Sequence, residues 1–224
     1  MTKTELLKIA KPILFNTEMT RAILDGRKTV TRRVIKPQPI YRPEHPTHKV
    51  RFPKADKRAS SYNLFDWESF VERFAKYQVG DILYVRETWN FVYDMDDNDQ
   101  PDGEGRHIYQ ADDPMPFSHW VDPDTGEHKE QMPWKPSIHM PKEAARIFLR
   151  VKSVRVERLR DIDVSNCVRE GVTWENYPVA WTVDAKPAFI KLWNSTIKPA
   201  DLPLYGWEAN PWVWVYEFER ISPQ

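Results

Sequence analysis

The residues Gly26–Arg33 (Gly-Arg-Lys-Thr-Val-Thr-Arg-Arg) constrain this chain most, because they join a helix to a strand through a turn crowded with cations. Before the glycine, Asn16–Asp25 reads as a short helix. Asn16 or Thr17 can accept the first unpaired amides, and Met19, Ala22 and Ile23 repeat at helical spacing. Gly26 supplies the left-handed residue that ends such a helix. After it, Val30, Val34 and Ile35 favour an extended chain. Arg27, Lys28, Arg32 and Arg33 are therefore delivered to one junction, with the hydroxyls of Thr29 and Thr31 among them. Basic residues at a helix C-terminus also complement its dipole, so the cluster has both a structural and a functional reading.

At 224 residues the chain can bury a core without disulfides or metal. Its single cysteine, Cys167, excludes an intramolecular disulfide and suits a reducing cytoplasm, the expected location. No early apolar run resembles a signal peptide, and no stretch is long and apolar enough to span a bilayer, so no membrane partner is expected. The 33 basic and 33 acidic residues cancel, which gives nucleic-acid binding no help from net charge. Their distribution is uneven. Lys36 to Arg58 holds seven basic and two acidic residues, whereas Asp94 to Glu104 holds six acidic and no basic ones. Such segregation suits either a basic cleft beside an acidic flap or two surface loops.

In chain order, the pattern predicts a helical lead over 4–9, a strand at 12–15, a helix over 66–77 and a strand over 82–89. The 66–77 helix carries a core stripe of Trp67, Phe70, Val71, Phe74 and Tyr77. The 82–89 strand begins apolar and ends in Arg86 and Glu87, charges that need either a rim or a partner. Trp89 has the chemistry to stack on a base there or to pack inside. A long strand with a bulge or change of face is expected over 147–159, followed by a helix capped by Asp163 and ended by Glu170-Gly171. A helix over 184–193 and a strand over 211–220 complete the reading. Residues 36–65 and 94–134 are expected as excursions or insertions within a single domain spanning 1–224. His107 to Ala111 is a strand of the second. Asp122, Asp124 and Glu127 do not form an EF-hand, and His119, His128 and His139 lack metal-ligand spacing. There is no phosphate-binding glycine fingerprint and no zinc spacing, so no cofactor or metal is expected. Short helices between noncontiguous strands favour an α+β fold with a mixed sheet or small barrel.

Several stretches resemble the ASCH-domain family of the PUA-like superfamily. They are Pro12–Phe15, the helix leading into Gly26–Arg33, and Val79–Glu87. Trp134–Pro141 and Asn210–Val215 resemble its longer, prophage-associated bacterial members. The resemblance covers most of 12–220. It implies a small mixed β-barrel flanked by short helices, with loop insertions and a basic cleft suited to RNA or a modified nucleoside. The Gly-Arg-Lys-Thr-x-Thr pattern is similar to that of small N4-acetylcytidine amidohydrolases. By that resemblance Lys28 is the base, Thr31 the nucleophile and Glu170 the acidic partner. Arg27, Arg32, Arg33, Arg86, Glu87 and Trp89 are the candidate substrate or nucleic-acid contacts. The chain departs from those enzymes in its greater length, its Arg32-Arg33 ending and its two large loops. A noncatalytic RNA-binding module, a ribonuclease and a phage-derived adaptor remain alternatives. Geometry adds one condition: residues three apart on a regular strand face opposite ways, so Lys28 must lie in the turn to approach Thr31.

Overall fold

The computed structural model describes residues 1–44, 49–53, 64–95, 101–113, 120–121, 125–129, 132–172 and 185–224. The chain begins with α1 (Lys3–Ile9), whose start is a reciprocal cap between Thr2 and Glu5. Strand β1 (Lys11–Leu14) follows. Helix α2 (Thr17–Leu24) is capped by Asn16, whose side-chain oxygen accepts from Met19 N at 2.8 Å. Ala22 and Ile23 are buried as their spacing predicts, but Thr20 rather than Met19 completes the inner face. Its hydroxyl donates to the Asn16 carbonyl at 2.9 Å, which makes burial of the threonine tolerable. Gly26 takes φ 75°, the left-handed turn into β2 (Val30–Val34).

Three two-residue strands come next: β3 (Ile40–Tyr41), β4 (Val50–Arg51) and β5 (Leu64–Phe65). Helix α3 (Trp67–Phe74) is capped by Asp66, and Tyr77 lies beyond its end although it remains buried. The next strand, β6 (Ile82–Arg86), stops before the residues expected at its end. At Trp89 the backbone turns to pair with Lys135 in both directions, starting β7 (Trp89–Met95). Strand β8 (Pro101–Tyr109) includes most of the strand expected at 107–111. Two further short strands are β9 (Trp120–Val121) and β10 (His128–Lys129). Single 3-10 turns at Ser137–His139 and Lys142–Ala144 lead into β11 (Phe148–Arg158). The chain closes with α4 (Val164–Arg169), α5 (Lys186–Ser195), α6 (Leu202–Tyr205) and β12 (Trp212–Ile221). Pro187 is accommodated in the first turn of α5. His119, Asp122, Asp124 and parts of both expected excursions lie outside the described residues.

The chain divides into two compact units, each assembled from separated segments. The first comprises Met1–Asp25, Ile82–Leu149 and Arg220–Gln224. In it β1 and β6 pair in parallel, with Ile13 opposite Val85, and β7 and β8 pair antiparallel. Its core gathers Leu6, Tyr84, Trp89, Met140 and Phe148. The second comprises Gly26–Asp81 and Arg150–Glu219. There β12 pairs antiparallel with β2, while β3, β4 and β5 form a three-stranded antiparallel sheet. Val30, Val213 and Val215 meet Leu159, Cys167, Phe189 and Trp193 in one core. On the other face, Phe70 of α3 stacks on Trp214 with rings 5.1 Å apart. The described residues thus make a mixed α+β architecture, and no closed barrel is found among them. No helix among them is long and apolar enough to cross a membrane.

Candidate functional site

Lys28 sits in the irregular turn before β2, which meets the geometric condition set by the sequence. Antiparallel pairing then decides where its side chain finds acceptors. Thr29 O accepts from Phe218 N at 2.9 Å, and Ile35 N donates to Trp212 O at 3.2 Å. The odd-numbered residues of β2 therefore direct their backbone groups to β12, and Val30 and Arg32 direct theirs outward. Among the described strands nothing pairs with that outer side. Lys28 occupies it: Nζ donates to Val30 O at 2.8 Å, to Glu170 O at 2.8 Å and to Glu170 Oε2 at 2.7 Å. An ammonium has three protons, and here three acceptors surround it.

Glu170 reaches this point because Asp163 starts α4, accepting from Asn166 N at 2.6 Å. Six residues of helix then place Glu170 at the C-terminal cap, and Gly171 with φ 92° turns the chain away. Arg32 Nη1 donates to the second carboxylate oxygen of Glu170 at 3.0 Å, and its Nη2 to Glu157 Oε2 at 3.0 Å. Lys28, Arg32 and Glu170 are all at least 95% buried. From Glu157 the ion pairs continue through Arg155 to Glu217, at 2.5 Å for the second step, and from Glu217 to Arg169 at 3.0 Å. Arg169 Nε returns to Thr29 Oγ1 at 3.1 Å. The route starts and ends on the turn that carries Lys28.

Burial is the largest influence on Lys28 and pushes its pKa below the ordinary 10.5. The Glu170 carboxylate opposes this, while Arg33 and Arg32 add to the depression. Glu217 is held below its ordinary range chiefly by the hydrogen bond from Arg169. The cluster therefore pairs a desolvated, titratable lysine with a set of permanently charged arginines.

Thr31, 2% exposed, stands opposite Tyr216 in the β2–β12 ladder. Strand alternation puts Thr31, Arg33, Trp214 and Tyr216 on one face, and Val30, Arg32, Val213 and Val215 on the other. The structure thus joins Lys28 directly to Glu170 and adds Arg32, while Thr31 lies across β2 from Arg32. Arg33 is half-buried on the Thr31 face, and burial lowers its pKa against the pull of Tyr77, Glu170 and Tyr216. Arg27 is half-buried and donates to Gly171 O at 3.2 Å, bracing the end of α4 against the turn.

Arg86, Glu87 and Trp89 belong to the first unit. Glu87 is buried and held by both arms of Arg146 at 2.9 Å, and Arg146 also bonds Asp112 at 2.6 Å. The Arg146 guanidinium lies 3.9 Å over the Tyr109 ring. Burial raises the pKa of Glu87, against the hydrogen bond and charge of Arg146, and raises that of Tyr109 to about 12. Arg86 donates to the Ile138 carbonyl. Trp89 is buried among core residues, with the His107 ring 5.5 Å and Lys135 Nζ 5.3 Å from its ring, so it packs inside rather than standing open to a base. Among the described residues no group of three His, Cys, Asp or Glu side chains is placed to hold a metal.

Sequence reasoning does not reach Arg155, Glu157, Arg169 or Glu217. Arg155 and Glu157 stand two apart on β11, and that strand-spaced pair of opposite charges is the signal that a charged face lies there. No protein-family model matches the chain, and comparison with curated proteins and with solved structures likewise gives no match.

Proposed function

We propose that this protein is a hydrolase of the N4-acyl group of a cytidine base or nucleoside, working through Lys28, Thr31 and Glu170 in an ASCH-like, PUA-related fold. The observation that carries this reading is the buried contact between Lys28 and Glu170. The two residues are 142 positions apart, were singled out together by the sequence resemblance, and meet at 2.7 Å. Burial moves Lys28 towards the free amine that a general base must be. Glu170 orients the lysine, and its second oxygen is fixed by Arg32, so the pair is held from both sides. Thr31 would be the nucleophile once Lys28 accepts its proton.

The test is product analysis by mass spectrometry with N4-acetylcytidine and short RNAs carrying it. Wild type should release cytidine. Thr31→Ala and Lys28→Met, checked for native circular dichroism, should lose turnover by at least about a thousandfold. Wild type without deacylation would overturn the proposal, as would full activity in folded Thr31→Ala. Strand cleavage that persists in Thr31→Ala would assign nuclease chemistry to other residues.

A second reading, a noncatalytic RNA-binding module, draws on one specific observation. Two of the three acceptors around Lys28 Nζ are backbone carbonyls, which is how a charged lysine is anchored for structure. Under this reading RNA binds, weakens as salt rises, and leaves unmodified.

A further inference from the structure

The three-stranded sheet β3–β4–β5 has two unlike faces. Its register pairs Tyr41 with Val50 and Val50 with Phe65, so these three side chains share one face. That face packs into the core of its own unit. Val50 is completely buried, Phe65 meets Phe74 of α3 at 5.1 Å, and Tyr41 stacks on Trp67 at 6.0 Å. The same register pairs Ile40 with Arg51 and Arg51 with Leu64 on the opposite face. One step beyond Tyr41, Arg42 N donates to Lys49 O at 2.7 Å, which puts Arg42 opposite Lys49 on that outer side. Ile40 is 45% exposed, and Arg42 and Arg51 are exposed with it. Arg42, Lys49 and Arg51 take part in no ion pair among the described residues, exposed Glu44 on the same hairpin included. By contrast, on β11 Arg150 and Lys152 pair with Glu219, and Arg155 pairs with Glu157 and Glu217. Two cations directly opposite each other repel, so the Arg42–Lys49 pair weakens the sheet that carries it. Charges at sheet edges discourage aggregation, but Arg51 belongs to the central strand, where no edge needs guarding. The stretch Lys36 to Arg58, with seven basic residues and two acidic, is also left unused by the Lys28 cluster.

We propose that the outer face of β3–β4–β5 is a binding surface for single-stranded nucleic acid, held through its phosphates by Arg42, Lys49 and Arg51. None of Lys28, Thr31 or Glu170 contributes to it, so it goes beyond the amidohydrolase reading and does not depend on it. A polyanion supplies the negative charge that this face lacks and relieves the repulsion between Arg42 and Lys49. The geometry favours an extended strand. Successive outward residues on a β-strand are about 6.7 Å apart, a step similar to that between phosphates along an extended polynucleotide. Each guanidinium can take two phosphate oxygens at once, and Lys49 adds a point charge. Ile40, beside Arg42 and opposite Arg51, offers an apolar contact to a sugar or a base. A lipid surface calls for aromatic side chains on the same face, and those of this sheet, Tyr41 and Phe65, pack against α3 instead.

The test measures fluorescence anisotropy of labelled oligo(U), oligo(dT) and a DNA duplex of the same length with the full chain at stepped salt. Sedimentation with phosphatidylcholine/phosphatidylserine vesicles runs beside it. Neither strand carries an N4-acyl group, so the outcome is independent of deacylation. Three phosphate contacts predict a slope of about −2 for log affinity against log salt with a single strand. Arg42→Ser/Lys49→Ser/Arg51→Ser should bind about 100-fold more weakly at low salt, with that slope nearly gone. Arg150→Ser/Lys152→Ser removes two cations already paired with Glu219 and should stay within about threefold of wild type. The proposal is overturned if wild type binds neither strand, binds the duplex more tightly, or binds vesicles alone. It is overturned equally if the folded triple variant keeps its affinity, or if Arg150→Ser/Lys152→Ser loses as much. Should the triple variant lose its native circular dichroism, Arg42→Ser and Arg51→Ser decide singly. Each should weaken binding about fivefold, and unchanged affinity in both overturns the proposal.

Discussion

Glu170 and Glu87 are both carboxylates taken out of water and held by cations, but the cations differ in kind. Glu87 lies in the two-armed grip of Arg146, whose remaining arm is taken by Asp112. A guanidinium does not give up its proton, so that assembly has one protonation state available to its cation. Glu170 shares itself between Arg32 and a lysine that burial has pushed towards neutrality. The first arrangement can hold chain segments together and do little else. The second can exchange a proton and still keep its carboxylate paired, because Arg32 stays in place. A buried ion pair becomes chemically useful when one member is titratable and another is not.

The comparison is broken most directly by removing each carboxylate. Glu170→Ala leaves both Lys28 and Arg32 buried with fewer partners, and should cost about 3–5 kcal/mol in urea unfolding. Glu87→Ala leaves Arg146 with Asp112 and partial contact with water, and should cost about 1–3 kcal/mol. Equal losses would mean that the two clusters are energetically alike.

Stability against pH sharpens the contrast, because the two groups act with opposite sign. Between the lowered value of Lys28 in the fold and its ordinary 10.5, the unfolded chain holds a proton that the native protein has shed. Stability should therefore rise with pH across that window, by up to about 1.4 kcal/mol per pH unit, and the rise should vanish in Lys28→Met. Between 4.5 and the raised value of Glu87, the native protein holds a proton that the unfolded chain has lost. Stability should fall as pH rises there, and Glu87→Gln should flatten that segment. Urea titrations at stepped pH values measure both slopes. A smaller effect concerns the helix that delivers Glu170. Asp163→Ala removes the N-cap of α4 and should cost about 1 kcal/mol in the same assay. No loss would mean that α4 is held in place by its packing alone.

Much of this framework is legible from local chemistry. Asn16, Asp66 and Asp163 announce helix starts, Gly26 and Gly171 announce ends, and the Trp212–Ile221 strand is plain from its β-branched and aromatic residues. The meeting of Lys28 with Glu170 came from a resemblance between motifs, since no local pattern links positions 142 apart. What stayed hidden depended on register. Nothing in the sequence says that Tyr216 lies opposite Thr31, or which neighbours Arg32 and Arg33 meet on their two faces. The end of β6 departs from the sequence expectation for a related reason. Glu87 turns inward to an arginine 59 residues later, and Trp89 pairs with Lys135, so tertiary partners decide where that strand stops.

The placement of Lys28 on the outer side of β2 also bears on how the protein emerges from the ribosome. Apart from Lys28 itself, the described partners of this turn and strand come late: Glu170 is 142 residues downstream of the lysine, and β12 follows still later. Through most of synthesis β2 would present two unpaired edges, one bearing an unshielded ammonium. A charge at a bare strand edge discourages pairing with other chains. The lysine that ends as an internal plug is thus, until the C-terminal third arrives, a charge on an open strand edge.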